Sequence, residues 1–240
     1  MIDTLIILSF LFVTGSFAGW LIELFYRRFL SHNNPSRKWI NPGFLTGPYL
    51  PIYGFGLMAL FLVSLIKLPS THPIINTICI FLCMAIAMTV IEYITGLIFI
   101  KSMHVKLWDY SKEWGNVQGI ICPKFSLYWA LLGALYYFLI QPRIIHSLTW
   151  LFNNLSYSFV LGFIAGIYSI DIIYSLKIVA KIRHFAVDND VIVKYELLKS
   201  AIITKAEETK TKARFLLPFS SEVPFSEHLQ KYIELIQAFK

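Results

Sequence analysis

The chain has 240 residues, of which 57% are hydrophobic, 16% aromatic and only 15% charged, with a net charge of +7. Soluble domains carry about 25% charged residues, so this composition excludes an ordinary soluble protein, a disordered chain and a collagen-like one. The net charge does not imply nucleic-acid binding, because nearly every cation lies outside the apolar runs.

A hydrocarbon core of ~30 Å takes about 20 helical residues to cross, and five apolar runs approach that length. They cover residues 4–26, 47–66, 74–100, 125–141 and 148–176. None shows strand-like alternation, so the expected fold is all-α and polytopic: a five-helix transmembrane domain over 1–177 and a cytoplasmic amphipathic helical tail over 178–240. The first run follows Asp3 rather than a basic segment, and no small-residue cleavage site follows it. It is read as an uncleaved span.

Cation placement orients the bundle. Arg27, Arg28, Arg37 and Lys38 follow the first run, Lys101, Lys106, Lys112 and Lys124 follow the third, and eleven more lie from Lys177 onward. Only Lys67 and Arg143 fall on the other side. The positive-inside rule then puts the N-terminus outside and the tail in the cytoplasm.

Three carboxylates, Glu23, Glu92 and Asp171, lie within the expected spans. Charges at bilayer depth are costly and usually face a bundle interior or an aqueous cavity. Gly15, Gly19 and Glu23 share one face of the first run; Ala85, Thr89, Glu92 and Gly96 share one face of the third. These small-residue stripes predict that helices 1 and 3 pack together, with Glu23 and Glu92 opening on one polar cavity on the cytoplasmic side. Asp171 shares a face with Tyr168 and Ser175, and Gly162 and Gly166 form a second GxxxG in the same run. The glycine faces at Gly15/Gly19 or Gly162/Gly166 are possible oligomer contacts.

The loops between runs are unusually specific. Residues 39–56 hold three prolines and four glycines among aromatic and apolar residues, with Asn41 and Tyr53 as polar members. Without Gly47–Pro51 the second helix is about 15 residues long, some 22 Å, so a re-entrant or broken start is expected. Residues 104–123 carry Asp109, Tyr110, Asn116 and Gln118, placed to face the carboxylates, and Trp108 and Trp114, which suit the membrane interface. Glu23, Tyr26, Arg27, Asn41, Tyr53, Glu92, Asp109, Tyr110, Asn116 and Asp171 are thus the expected ligand-binding or cavity residues. Cys79, Cys83 and Cys122 suggest neither a disulfide framework nor a metal site, and no cofactor is expected.

The tail has two amphipathic patterns. Val191, Tyr195, Leu198 and Ile202 repeat at helical spacing, followed by a mixed-charge stretch from Lys205 to Arg214; after Pro218, Leu229, Tyr232, Ile233 and Ile236 share a face of a second helix starting near Ser226. Its modest net charge of +3 suits an anionic leaflet or a protein partner.

Several of these motifs resemble the CmpB-like family of ABC-transporter type IV proteins. The likeness is carried by Gly19-Trp20, Glu23, Tyr26-Arg27, the Asn41–Leu45, Gly47-Pro48, Pro51, Tyr53-Gly54 and Gly56 run, and Glu92 with Thr95-Gly96. It continues through Leu107–Ser111, Asn116, Gly119, Cys122, Phe125-Ser126 and Trp129, covering about residues 13–140. The resemblance implies a multi-pass protein of the bacterial cell membrane and a permease-like role. The sequence holds no G-x-x-x-x-G-K-[ST] phosphate loop, so ATP hydrolysis would come from a separate ATPase subunit. Two other readings fit the residues: a membrane-embedded enzyme acting on a lipid or prenyl substrate, and a non-catalytic membrane scaffold.

Overall fold

The computed structural model describes residues 2–31, 34, 37–66, 72–208 and 225–238. Lys67, Pro218 and the 209–214 part of the mixed-charge stretch lie outside these residues, as does the side chain of Ile236. The described chain forms α1 (Ile2–Phe29), α2 (Pro51–Ser64), α3 (Pro73–Met103), α4 (Pro123–Asn153), α5 (Ser158–Asp188), α6 (Tyr195–Glu208) and α7 (Phe225–Ala238). Two short strands, β1 (Val105–Lys106) and β2 (Val193–Lys194), pair in parallel. Four described helices, α1, α3, α4 and α5 with its preceding turn, are long and apolar enough to cross a membrane. This is a membrane protein.

The chain divides into two compact units. Residues 1–20, 49–95 and 110–170 make the first, and residues 21–48, 96–109 and 171–240 the second.

In the first unit, α2 is only 14 residues long, about 21 Å at 1.5 Å per residue. Pro51 at its first turn forces Leu50 into an extended conformation, so the helix cannot begin earlier. α2 lies along α1 with the glycines of both helices at the contact. A Cβ on Gly19 would sit 2.0 Å from Tyr53 Cγ, one on Gly15 2.7 Å from the Tyr53 carbonyl, and one on Gly54 2.7 Å from the Phe12 carbonyl. Further along, a Cβ on Gly15 would also sit 2.7 Å from Leu57 Cβ, and Leu57, Met58 and Phe61 pack, as Ile7 and Phe10 do, on a core of Leu11, Ile144 and Leu148. Rising numbers on α2 therefore match falling numbers on α1, and the two helices run antiparallel. The expected pairing of the Gly15–Gly19 face with helix 3 is corrected: that face receives α2, whose Gly54 allows the closest approach, and the Leu50 N–H donates to the Ser16 carbonyl at 2.9 Å. Gly15 and Gly19 are consequently filled from within the chain, whereas nothing lies within 4 Å of a Cβ on Gly162 or Gly166.

α3 packs instead on α2 and α4. Met88 lies against Gly56, Met84 against Gly133, and Leu60, Ile80, Trp129 and Tyr136 complete that core. The run expected to end at Gln141 continues as helix to Asn153, and the turn falls at Leu155–Tyr157 rather than near residues 142–147. Pro142 lacks an N–H and would crowd the preceding turn; a π turn at Tyr136–Ile140 accommodates it, with the Gln141 N–H reaching back to the Tyr136 carbonyl.

The second unit has its own core of Val105, Val179, Ile182, Val193, Tyr195, Leu198, Ile202, Leu229 and Tyr232. The spaced apolar residues of the tail, Tyr195, Leu198 and Ile202 on α6 and Leu229 and Tyr232 on α7, are the ones buried there. Tyr232 Oη also accepts the Lys194 N–H at 2.8 Å, next to the β1–β2 pair.

Candidate functional site

Among the described residues, each unit holds one buried carboxylate with its own donors. In the first unit Glu92 is 2% exposed. Tyr110 Oη donates to its Oε1 and Trp129 Nε1 donates to its Oε2, both at 3.0 Å. On the α3 side, about one turn before Glu92, Thr89 Oγ1 also meets Ser126 Oγ of α4 at 3.2 Å. The stripe of Thr89 and Glu92 thus faces α4 and the loop before it.

That loop is built to present Tyr110. Gln118 and Gly119 both have positive φ, 56° and 66°, and the Ile120 N–H donates to the Val117 carbonyl at 2.9 Å, forming a type I′ turn. The Gly119 carbonyl accepts the Tyr110 N–H at 2.9 Å, which fixes the backbone beneath the phenol. Asn116 does not reach toward the carboxylate. Its amide bonds the Ser111 and Glu113 carbonyls and its Oδ1 accepts the Gly119 N–H, so its role is to hold the turn. The Tyr110 ring stacks on Phe125 with centroids 4.1 Å apart, and Tyr53 packs on Trp129 at 5.0 Å. Tyr110 and Trp129 thus reach Glu92 as aromatic side chains packed on other rings.

In the second unit Asp171 is 8% exposed and receives donors mainly from backbone and hydroxyls. Oδ1 accepts the Thr46 N–H at 3.1 Å, Thr46 Oγ1 at 2.5 Å and Ser175 Oγ at 2.9 Å, and Oδ2 accepts the Gly47 N–H at 2.7 Å. Asn41, 2% exposed, ties the other side of the same turn, donating from Nδ2 to the Leu45 and Thr46 carbonyls at 3.1 Å each. Gly43 has φ 71°, a conformation glycine adopts without steric cost.

Lys199 of α6 reaches that turn as well. Its Nζ donates to the Asn41 carbonyl at 3.1 Å and the Gly43 carbonyl at 2.5 Å, over the Tyr195 ring at 5.0 Å. Burial lowers the Lys199 pKa to about 7; Arg27 lowers it further and Glu196 opposes. Burial pushes the Tyr195 phenol upward, with the negative charge of Asp171 adding to the effect. Arg27 bridges Glu23 at 3.0 Å and Glu196 at 2.5 Å, linking α1 to α6. Tyr26 contributes its carbonyl to the end of α1, accepting the Leu30 and Ser31 N–H groups. Asp109 pairs with Lys106 and Lys194 beside the β1–β2 pair.

The expected residues thus fall into two groups: Tyr53, Glu92, Tyr110 and Asn116 in the first unit, and Glu23, Tyr26, Arg27, Asn41, Asp109 and Asp171 in the second. Sequence reasoning did not single out Trp129, Thr46, Glu196 or Lys199 as site residues. The signal for Lys199 was its position four residues after Tyr195, on the flank of the buried face of α6. A pocket of about 860 Å³ lies between α5 and α7, lined by Lys181, His184, Phe185, Phe225, Leu229 and Glu234 among others, and none of the expected residues lines it. Among the described residues no three His, Cys, Asp or Glu side chains are grouped to hold a metal ion.

Residues 10–176 match the model of the family described as "Putative ABC-transporter type IV". The chain belongs to that family. No curated protein and no solved structure matches it. The match takes in Glu92, Tyr110, Trp129, Arg27, Asn41, Thr46 and Asp171, and it ends before α6, so Glu196 and Lys199 lie beyond the family segment.

Proposed function

We propose that the protein is a permease-like subunit of the bacterial plasma membrane that handles a small ligand or ion at Glu92. The observation carrying this reading is the Glu92 carboxylate itself. It is buried on an apolar helix and accepts hydrogen bonds from the Tyr110 phenol and the Trp129 indole. Buried ionisable groups at membrane depth mark ion and substrate pathways, and a carboxylate held by side-chain donors can exchange a proton or a cation as those donors move. Tyr53, Tyr110 and Asn116 shape the surroundings of this centre, which opens on a polar cavity toward the cytoplasm.

In this reading α2 is a fifth crossing. Its antiparallel course along α1, from the level of Gly19 to that of Leu11, supports a return across the bilayer despite its 14 residues. With five crossings the cation asymmetry puts the N-terminus outside and the tail in the cytoplasm. Energy would come from a separate ATPase subunit, since the sequence has no phosphate loop. The exposed Gly162/Gly166 face is the remaining glycine surface for a second copy.

The test is purification of the full chain from native membranes in mild detergent, paired with solute profiling of a deletion strain. Copurification of an ATPase subunit and an altered solute, restored by the wild type and not by Glu92→Gln at equal abundance, are expected. Full restoration by a Glu23→Gln, Glu92→Gln double variant would contradict the reading.

A further inference from the structure

We propose that α6 is an intramolecular clamp on the 41–47 turn, engaged by Lys199 and loosened by protonation as the pH falls toward neutrality. The inference is independent of the role given to Glu92. Lys199 is 4% exposed, and its contacts are two main-chain carbonyls, Asn41 and Gly43, and the face of Tyr195. Two further contacts hold α6 in place: Tyr195 Oη donates to the Phe44 carbonyl of the turn at 3.4 Å, and Glu196 pairs with Arg27 of α1. The turn is therefore gripped from both sides. Asp171 holds its N–H groups at Thr46 and Gly47, and α6 holds its carbonyls at Asn41, Gly43 and Phe44.

The two grips differ in chemistry. The Asp171 side belongs to the segment that matches the family, whereas α6 lies beyond it. The charged groups acting on Lys199 are Arg27 of α1, a cation, and Glu196 of its own helix, whose carboxylate is already paired with Arg27 and through it with Glu23. Asp171 acts on the neighbouring Tyr195. A buried ammonium bonded to neutral carbonyls beside an arginine is poorly compensated, so the docked state favours the uncharged amine.

The direction follows from linkage. Docked, Lys199 has a pKa of about 7; released into water, it returns to about 10.4. Between those values the released form holds more protons, so docking strengthens as pH rises and weakens as pH falls toward 7, below which it changes no further. From pH 6.5 to 8.5 these two values give a docking constant that rises roughly 20-fold.

Hydrogen exchange of the full chain in lipid nanodiscs, corrected for the intrinsic pH dependence of amide exchange, measures this directly. The amides of α6 and of the 43–47 turn should gain about 20-fold protection between pH 6.5 and 8.5, while those around Glu92 stay level. Lys199→Met should flatten the slope and remain protected; Lys199→Arg should flatten it with low protection throughout. A wild-type profile without the slope overturns the proposal whatever the variants do, and so does a slope that survives in either variant.

Discussion

Glu92 and Asp171 are the same kind of group in the same kind of surroundings, and the molecule treats them differently. Both are carboxylates on long apolar helices and both are nearly inaccessible. Glu92 accepts from two side-chain groups, the Tyr110 phenol in the loop before α4 and the Trp129 indole of α4 itself. Asp171 collects two main-chain N–H groups and two hydroxyls, and three of these four come from consecutive residues of one turn. A carboxylate bonded to backbone fixes a chain path. One bonded to aromatic side chains leaves the backbone independent of it, and its donors can turn away without unfolding anything. Burial alone does not distinguish a structural charge from a functional one.

The comparison can be broken most forcefully at Asp171. Asp171→Ala leaves the Thr46 and Gly47 N–H groups and two hydroxyls without their acceptor, and should cost about 3 kcal/mol or more in stability. Thermal unfolding in detergent, read beside wild type, checks this. Glu92→Leu is expected to cost less, about 1–3 kcal/mol, because the donors it leaves unpaired at Tyr110 and Trp129 are side-chain groups that can reorient.

Glycine offers a parallel contrast within the first unit. Gly54→Ala places a methyl 2.7 Å from the Phe12 carbonyl and 2.3 Å from Ser16 Oγ. It should destabilise by about 1–3 kcal/mol, since a backbone atom cannot move aside. Gly166→Ala meets nothing within 4 Å, and its effect on the unfolding midpoint of the isolated chain should stay within about 0.5 kcal/mol. Equal effects at the two glycines would mean that the α1–α2 contact is looser than described. The smallest stability change belongs to Glu92→Gln, which keeps shape and acceptor capacity at one oxygen.

The helices were legible because apolar runs and their cationic ends are long-range compositional signals. The late start of α2 was readable from Pro51 and the glycines around it, and the buried faces of α6 and α7 from the spacing of Tyr195, Leu198, Ile202, Leu229 and Tyr232. Continuation of α4 through Pro142 was not, because a π turn inside a helix leaves no local pattern. Nor was the partner of the Gly15–Gly19 face, since a small-residue stripe shows that something approaches without showing what. Glu92 and Asp171 stood out as charges in apolar runs. Their donors did not: Trp129 read as a core aromatic, and Thr46 acts partly through a backbone N–H, which every residue but proline possesses. Lys199 was hidden among the eleven cations of the tail, and only its depth in the fold sets it apart.

The contrast between the two carboxylates is tested most directly by expressing Glu92→Gln and Asp171→Asn side by side in a deletion strain, measuring membrane abundance and unfolding midpoint together with rescue of the deletion phenotype. Glu92→Gln should match wild type in abundance and midpoint and fail to rescue. Asp171→Asn should lose abundance and midpoint, with rescue falling only in proportion to the protein that remains. Full rescue by Glu92→Gln, or an Asp171→Asn protein that is as stable as wild type, would contradict the assignment of function to one and architecture to the other.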